Sequence, residues 1–135
     1  YHAPRNSKVE LRPNPLRFTG ATYLLTSGNT FSSAAALASC FQCYDAGTVI
    51  GTETGGLTAC FGDVYTFRLP HTGLDMRVSY KKFYNACGKD NGRGVIPDRI
   101  VKNTREDQRN GVDRVMQYTI NLIENQSSLG SLSFH

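Results

Sequence analysis

Hydrophobic and polar positions change their period along the chain, and each change predicts an element. ATYLLTS (21–27) has the aromatic and β-branched content of a buried strand. From Ser33 to about Tyr44 the period lengthens: Ala35, Leu37, Ala38 and Phe41 fall on one helical face, and Gly47 supplies the stop. TVIGT (48–52) is a second short buried strand, broken by TGG (54–56). VYTFRLP (64–70) alternates, with Val64, Thr66 and Arg68 on one face and Tyr65, Phe67 and Leu69 on the other. LDMRVSYKKFYN (74–85) alternates too, grouping Leu74, Met76, Val78 and Tyr80. A short strand ending in RIV follows the tight NGRGVIPD stretch (91–98). Thr104 and Asp107 form a cap-like pair that opens a helical turn. After Gly111, Val112, Val115, Met116, Thr119, Ile120 and Ile123 recur at helical spacing and predict an amphipathic helix.

Strand–helix–strand followed by several strands and a helix is an α/β pattern, and no repeat of fixed period runs through it. Residues 1–20, with Pro4, Pro13 and Pro15, read as an extended arm; 21–126 is the folded unit; SSLGSLSFH (127–135) reads as a flexible tail. The length, 135 residues, suits one domain. No apolar run approaches the roughly 20 residues that a membrane-spanning helix needs. The chain starts at Tyr1 with neither an initiator Met nor a signal-peptide pattern, so it is expected to be a piece of a longer polypeptide. A part-domain exposes apolar surface, and a homodimer or a swapped N-terminal arm is the expected way to cover it.

Charge and cysteines narrow the function classes. The net charge is +4, and the basic residues Arg5, Lys8, Arg12 and Arg17 are not interleaved with aromatics, so no nucleic-acid partner is expected. Cys40 and Cys43 form a C-x-x-C without a second half-site, and no His lies at ligand spacing from Cys60 or Cys87. No metal and no cofactor is therefore expected. Positions three apart on a helix both face inward, so Cys40 and Cys43 read as core packing, with a redox pair as the alternative. A Cys60–Cys87 disulfide would need an oxidising compartment.

The segment GNTFSSAAALAS (28–39) poses the chemical question. Thr30, Ser32 and Ser33 crowd around Phe31 where a helix begins, although one hydroxyl suffices for a cap. Either the hydroxyls are redundant caps or one is presented to react. A serine at a strand-to-helix corner sits beside N–H groups that have no intrahelical partner, and these can stabilise an oxyanion. GTETGG (51–56) lacks the G-K-[ST] ending of a phosphate loop, and Ser79-x-x-Lys82 falls in a strand, where residues three apart face opposite ways.

The order of TYLLTSGNTFSSAAALAS, GTVIGTETGG, RLPHTGLDMRV and GRGVIPD resembles the tail-specific (carboxy-terminal-processing) serine peptidases, with a tricorn-like, crotonase-like core. The resemblance spans roughly residues 17–126. It implies a crotonase-like (ββα) partial domain: a mixed sheet with a nucleophile helix and a C-terminal amphipathic helix. It puts the nucleophile on Ser32 and one oxyanion donor on the N–H of Ser33; the second donor would lie in an upstream glycine turn. Many members carry a lysine base about 25 residues after the serine, a spacing that lands here on Leu57. The tricorn-like branch uses an upstream His and an acidic residue shortly before G-V-x-P-D, which points to Asp90. Glu53, Thr54, Gly55 and His71 are the substrate-side candidates. The implied function is a serine endopeptidase acting on extended or unfolded polypeptides through an acyl-enzyme, in an extracytoplasmic compartment, with the upstream part of the same polypeptide as partner. The rivals are a catalytically inactive peptide-binding or scaffold member, which Leu57 favours, and an acyl-CoA-type enzyme of the wider fold, which G-V-x-P-D disfavours.

Overall fold

The computed structural model describes residues 12–87 and 90–131, with side chains as far as Gln126. The expectations for residues 1–11 and 132–135, most of the arm and the end of the tail, lie outside the described residues.

The first strand, β1 (Tyr23–Thr26), leads through a turn into helix α1 (Ser33–Cys43), which returns the chain to β2 (Thr48–Gly51). The two strands are parallel, with Tyr23 opposite Thr48 and Thr26 opposite Gly51. A helical crossover is what such pairing requires. On the other side of β2 lies β5 (Arg99–Ile100), also parallel, which gives the order β1-β2-β5. Val49 and Ile50 of the central strand are fully buried, and Ala35 and Ala38 of α1 pack into the same core. Asp98, from the PD of GVIPD, ties the layers together. Its Oδ2 accepts the N–H of Val49 at 2.7 Å, and its Oδ1 accepts Nε2 of Gln42 at 2.7 Å.

Between β2 and β5 the chain makes an antiparallel ribbon of β3 (Ala59–Arg68) and β4 (Asp75–Tyr84). Parallel and antiparallel pairing are thus kept in separate sheets. The register sets Phe61 against Lys82, Tyr65 against Val78 and Phe67 against Met76, so the apolar sets of the two alternating segments share a face. Helix α2 (Arg105–Arg109) opens on the expected capping box between Thr104 and Asp107, and Arg114 makes two hydrogen bonds to the Asp107 carboxylate. Helix α3 (Arg114–Ser131) is joined to β1 by the hydroxyl of Tyr23, which donates to Gln126 Oε1 at 2.6 Å.

Three expectations are corrected. Leu37 does not join the core: it is 57% exposed, because the buried stripe of α1 runs through Ala35, Ala38 and Ser39. Residues 127–131 belong to α3 and not to a flexible tail, since the sequence there has no proline to halt a helix already under way. Cys87 pairs with Cys43, at a Cα–Cα distance of 5.7 Å, and not with Cys60. Cys60 stands opposite Phe83 within the ribbon, whereas Cys87 lies past the end of β4 and beside the last residue of α1. Cys40 and Cys60 are free, half-buried thiols.

The small core makes β2 its most sensitive element. Ile50→Val should cost about 0.5–1.5 kcal/mol and Ile50→Ala about 2–5 kcal/mol, read from urea denaturation. Equal costs for the two would contradict the packing of Ile50 between β1 and β5.

Candidate active site

The crowd of hydroxyls between β1 and α1 divides into two groups. Thr30 N–H donates to the carbonyl of Ser27 at 2.9 Å, Ser27 N–H donates to Thr30 Oγ1 at 3.0 Å, and Asn29 N–H donates to Ser27 Oγ at 3.2 Å. Ser27 and Thr30 therefore build the turn. Ser32 does not. It occupies the N-cap position of α1 with φ 52° and ψ −124°, its side chain makes no capping hydrogen bond, and it is exposed. Positive φ is rare for a side chain with a Cβ and costs on the order of 1–3 kcal/mol. The conformation projects the hydroxyl out of the corner while the Ser32 carbonyl accepts the N–H of Ala36 at 3.0 Å and starts the helix. The N–H of Ser33 has no acceptor among the described residues. It belongs to the positive end of the helix dipole, where an oxyanion is stabilised.

Residues 53–56 brace this corner from below. Gly56 N–H donates to the carbonyl of Thr30 at 3.0 Å. A Cβ at Gly56 would lie 2.7 Å from Ala35 Cβ and 3.0 Å from the Ser32 nitrogen; one at Gly55 would lie 2.1 Å from the carbonyl oxygen of Gly28. The approach is open only to glycine. Thr54, buried, donates from Oγ1 to the Gly56 carbonyl at 2.7 Å and accepts Val95 N–H at 2.8 Å. Glu53 takes Arg93 with both oxygens, at 2.8 and 2.6 Å, and accepts Gly94 N–H at 2.9 Å. The Arg93 hydrogen bonds, then the Gly94 N–H, lower the Glu53 pKa to about 2. Both residues were substrate-side candidates; their polar atoms instead join residues 53–56 to 93–95. A carboxylate so acidic is also a poor base.

Ser32 opens onto a cavity of about 540 Å³. Phe31, Leu57, Ala59 and Phe61 give it apolar walls, and Gly55 and Gly56 line it. Cys60, Lys82 and Asp90 are its titratable lining groups. The structure thus brings together Ser32, Gly55 and Asp90. It leaves His71 out: His71 lies in the turn that joins β3 to β4, about 30 Å along the ten-residue strand from Ala59. Leu57, at the spacing of the family lysine, faces the cavity as an apolar wall. Lys82, set aside with Ser79 as a motif pair, lines the cavity on its own. The alternation that groups Leu74, Met76, Val78 and Tyr80 continues to Lys82 and was the available signal. Lys82 Nζ pairs with Asp90 and lies 5.4 Å from the Tyr84 ring centre. The Asp90 hydrogen bond raises the lysine pKa, so Lys82 is a cation at neutral pH.

The family model for peptidase family S41 matches residues 2–101, and the chain belongs to that family. Among solved structures, it is similar to a candidate peptidase from Parabacteroides merdae, with 24% identity, TM-score 0.59 and 78% of this chain covered. It is also similar to the tricorn protease, with 20% identity, TM-score 0.54 and 90% covered. The α/β fold is shared with both. The chain spans 32% of the first protein and 13% of the second. Among curated proteins nothing matches the chain.

Gly56→Ala should push the corner away from residues 54–56 and displace Ser32, lowering the reactivity of that serine toward a fluorophosphonate by about tenfold or more. Labelling at the wild-type rate would show that the close approach does not position the serine. A second outcome follows from Glu53. Because its folded pKa lies below the ordinary 4.5, its ion pair stabilises fully above that value and is lost as pH falls toward 2. Glu53→Gln should therefore lower the melting temperature at pH 7, and the gap to wild type should narrow at pH 2.5. A gap that stays constant would refute the linkage.

Proposed function

We propose that this chain carries the nucleophile half of a serine endopeptidase site, with Ser32 as nucleophile and the Ser33 N–H as one oxyanion donor. One observation carries the reading: Ser32 holds a strained, positive-φ corner at the start of α1 with its hydroxyl uncapped and exposed at a cavity. A cap residue would be extended and bonded to the first turn. Family membership supports hydrolysis of a peptide bond. In the proposed sequence Ser32 Oγ attacks the carbonyl and its proton passes to a base. Collapse of the tetrahedral adduct expels the amine, and water then hydrolyses the acyl-enzyme. An extended polypeptide suits the site, with an apolar side chain beside the scissile bond set against Phe31, Leu57 and Phe61.

The base is assigned to the upstream part of the polypeptide. Leu57 takes no proton, Lys82 is held as a cation by Asp90, and Glu53 is held as an anion by Arg93. Asp90 is proposed as the acidic partner of an upstream histidine, as in the tricorn-like branch. The Cys43–Cys87 disulfide supports the extracytoplasmic location that the tail-specific branch implies. Exposed apolar residues, among them Tyr65, Phe67, Met116 and Ile120, support cover by upstream chain or by a second copy. The catalytically inactive scaffold reading is kept because Leu57 occupies the lysine spacing.

Labelling of the full-length protein with a fluorophosphonate separates these readings. Ser32 is expected to be the labelled residue, and Ser32→Ala should remove labelling and turnover of an unfolded protein such as casein, a loss of at least the 10² to 10⁴ that a neighbouring base contributes. Labelling that survives in Ser32→Ala would move the nucleophile elsewhere; an unlabelled wild type would favour the scaffold. The 135-residue chain alone should turn over no casein, because the base and the second oxyanion donor lie outside it.

A further inference from the structure

Two consecutive lysines of β4 have different partners. Side chains alternate along a strand, so Lys81 and Lys82 leave the ribbon from opposite faces. Lys81 Nζ pairs with Asp63, within the ribbon, at 2.5 Å. Lys82 stands opposite Phe61 and lines the cavity onto which Ser32 opens. Its Nζ pairs with Asp90 Oδ2, and Asp90 lines the same cavity. We infer that Lys82 is a positioning residue for the proposed hydrolysis: it holds the Asp90 carboxylate at the wall of the Ser32 cavity with one oxygen left for a second donor. The inference rests on the reading of Ser32 as nucleophile and Asp90 as acidic partner.

The two ends of this pair are held unequally. Lys82 belongs to a strand that pairs with β3 from Tyr84, opposite Ala59, to Asp75, opposite Arg68. The ring centres of Tyr84 and Phe61 stand 5.4 and 5.8 Å from its Nζ, where the aromatic faces attract an ammonium. Asp90 lies beyond the end of β4, outside any strand or helix. Backbone anchors flank it: Asn85 N–H donates to the Thr58 carbonyl at 2.9 Å, and Gly94 N–H donates to Glu53 at 2.9 Å. Among the described residues, the Asp90 side chain has no hydrogen-bond partner other than Lys82. The lysine is thus the anchor, and the carboxylate is what it holds.

The chemistry of the pair suits that role. A carboxylate offers two oxygens to donors. Lys82 takes Oδ2 as a compact point charge, where the fork of an arginine would claim both oxygens. Oδ1 is left for the ring N–H of the upstream histidine that the proposed site calls for, and a carboxylate fixed in direction orients the imidazole that bonds to it. Stability is not the gain. With side chains 35% and 48% exposed, the pair contributes little to folding and is screened by salt. Its loss costs orientation, which is read in turnover.

The test uses the full-length protein and follows fluorophosphonate labelling of Ser32, kcat and KM on a peptide substrate, and melting temperature. Lys82→Met keeps an apolar stem and removes the charge. It is expected to lower labelling and kcat about fivefold or more at nearly constant KM, with the melting temperature kept. Lys81→Met, the same change on the other face, should match wild type. Asp90→Asn should be slow by itself, and adding Lys82→Met to it should cost little more, since the lysine acts through the residue that is gone. A Lys82→Met protein at the wild-type rate, beside a slow Asp90→Asn, overturns the inference and leaves Ser32 and Asp90 in their roles. A raised KM at constant kcat overturns it too, because Lys82 would then hold substrate. So does a full further loss in the double variant, a loss shared by Lys81→Met, or a marked drop in melting temperature, each of which would mean that the effect does not run through Asp90. An Asp90→Asn protein as fast as wild type, or a wild type whose Ser32 never labels, sinks the proposed site itself and this inference with it.

Discussion

The near-contact of two backbone segments, 28–32 and 54–56, is the constraint on which the rest of this structure depends. Gly55 and Gly56 allow the approach, and the Gly56 N–H to Thr30 carbonyl bond fixes it. A turn forced against backbone in this way cannot relax outward, and Ser32 is left with the positive φ that a free N-cap would avoid. The strain is held by neighbours that are themselves well satisfied. Thr54 hydrogen-bonds in both directions, and Glu53 is saturated by Arg93 and the Gly94 N–H. The same pairing brings residues 93–95 under the corner, and three residues past Val95 the carboxylate of Asp98 reaches back to the N–H of Val49 in β2. The sheet, the corner and the GVIPD segment are in that sense one construction.

Local signals in the sequence reached the elements well. YLLT and TVIG read as strands from their aromatic and β-branched content; the central TVIG is buried from Val49 to Gly51, whereas Tyr23, Leu24 and Leu25 of the edge strand are only half-buried. The Thr104–Asp107 capping box and the two alternating segments were equally plain, since each is fixed by residues within a few positions. Ser32 was legible as a question; in the structure the Ser27 and Thr30 hydroxyls bond within the turn, while Ser32 makes no capping bond.

Pairings between distant segments were not legible. Whether Cys87 meets Cys43 or Cys60 depends on where β4 ends relative to α1, and nothing near any of the three cysteines encodes that. Glu53 and Thr54 looked like free loop polars because their partners lie about forty residues onward, at 93–95. His71 sits just after a proline that also ends a motif, which suggested a role at the site. The length of the ribbon carries it away instead. Lys82 was discounted with Ser79 as a motif pair, yet it reaches the cavity alone, through its own face of β4.

The electrostatics of the cavity decide what these residues do without help. A serine hydroxyl becomes a useful nucleophile when a neighbouring base with a pKa near the working pH takes its proton. Lys82 moves the wrong way: the Asp90 hydrogen bond raises its pKa and so disfavours the neutral amine that a base would need. Removing Asp90 would not turn Lys82 into a base either. The lysine would then face the aromatic rings of Phe61 and Tyr84, which also favour a cation. Glu53 is displaced in the opposite direction, to about 2, where its conjugate acid is too strong for it to accept the serine proton at neutral pH. The two ion pairs thus leave the corner with a presented hydroxyl and an unused N–H, and with both nearby charges already matched. A group that enters from outside these residues meets an apolar pocket and a single carboxylate, Asp90, already paired with the partly exposed Lys82.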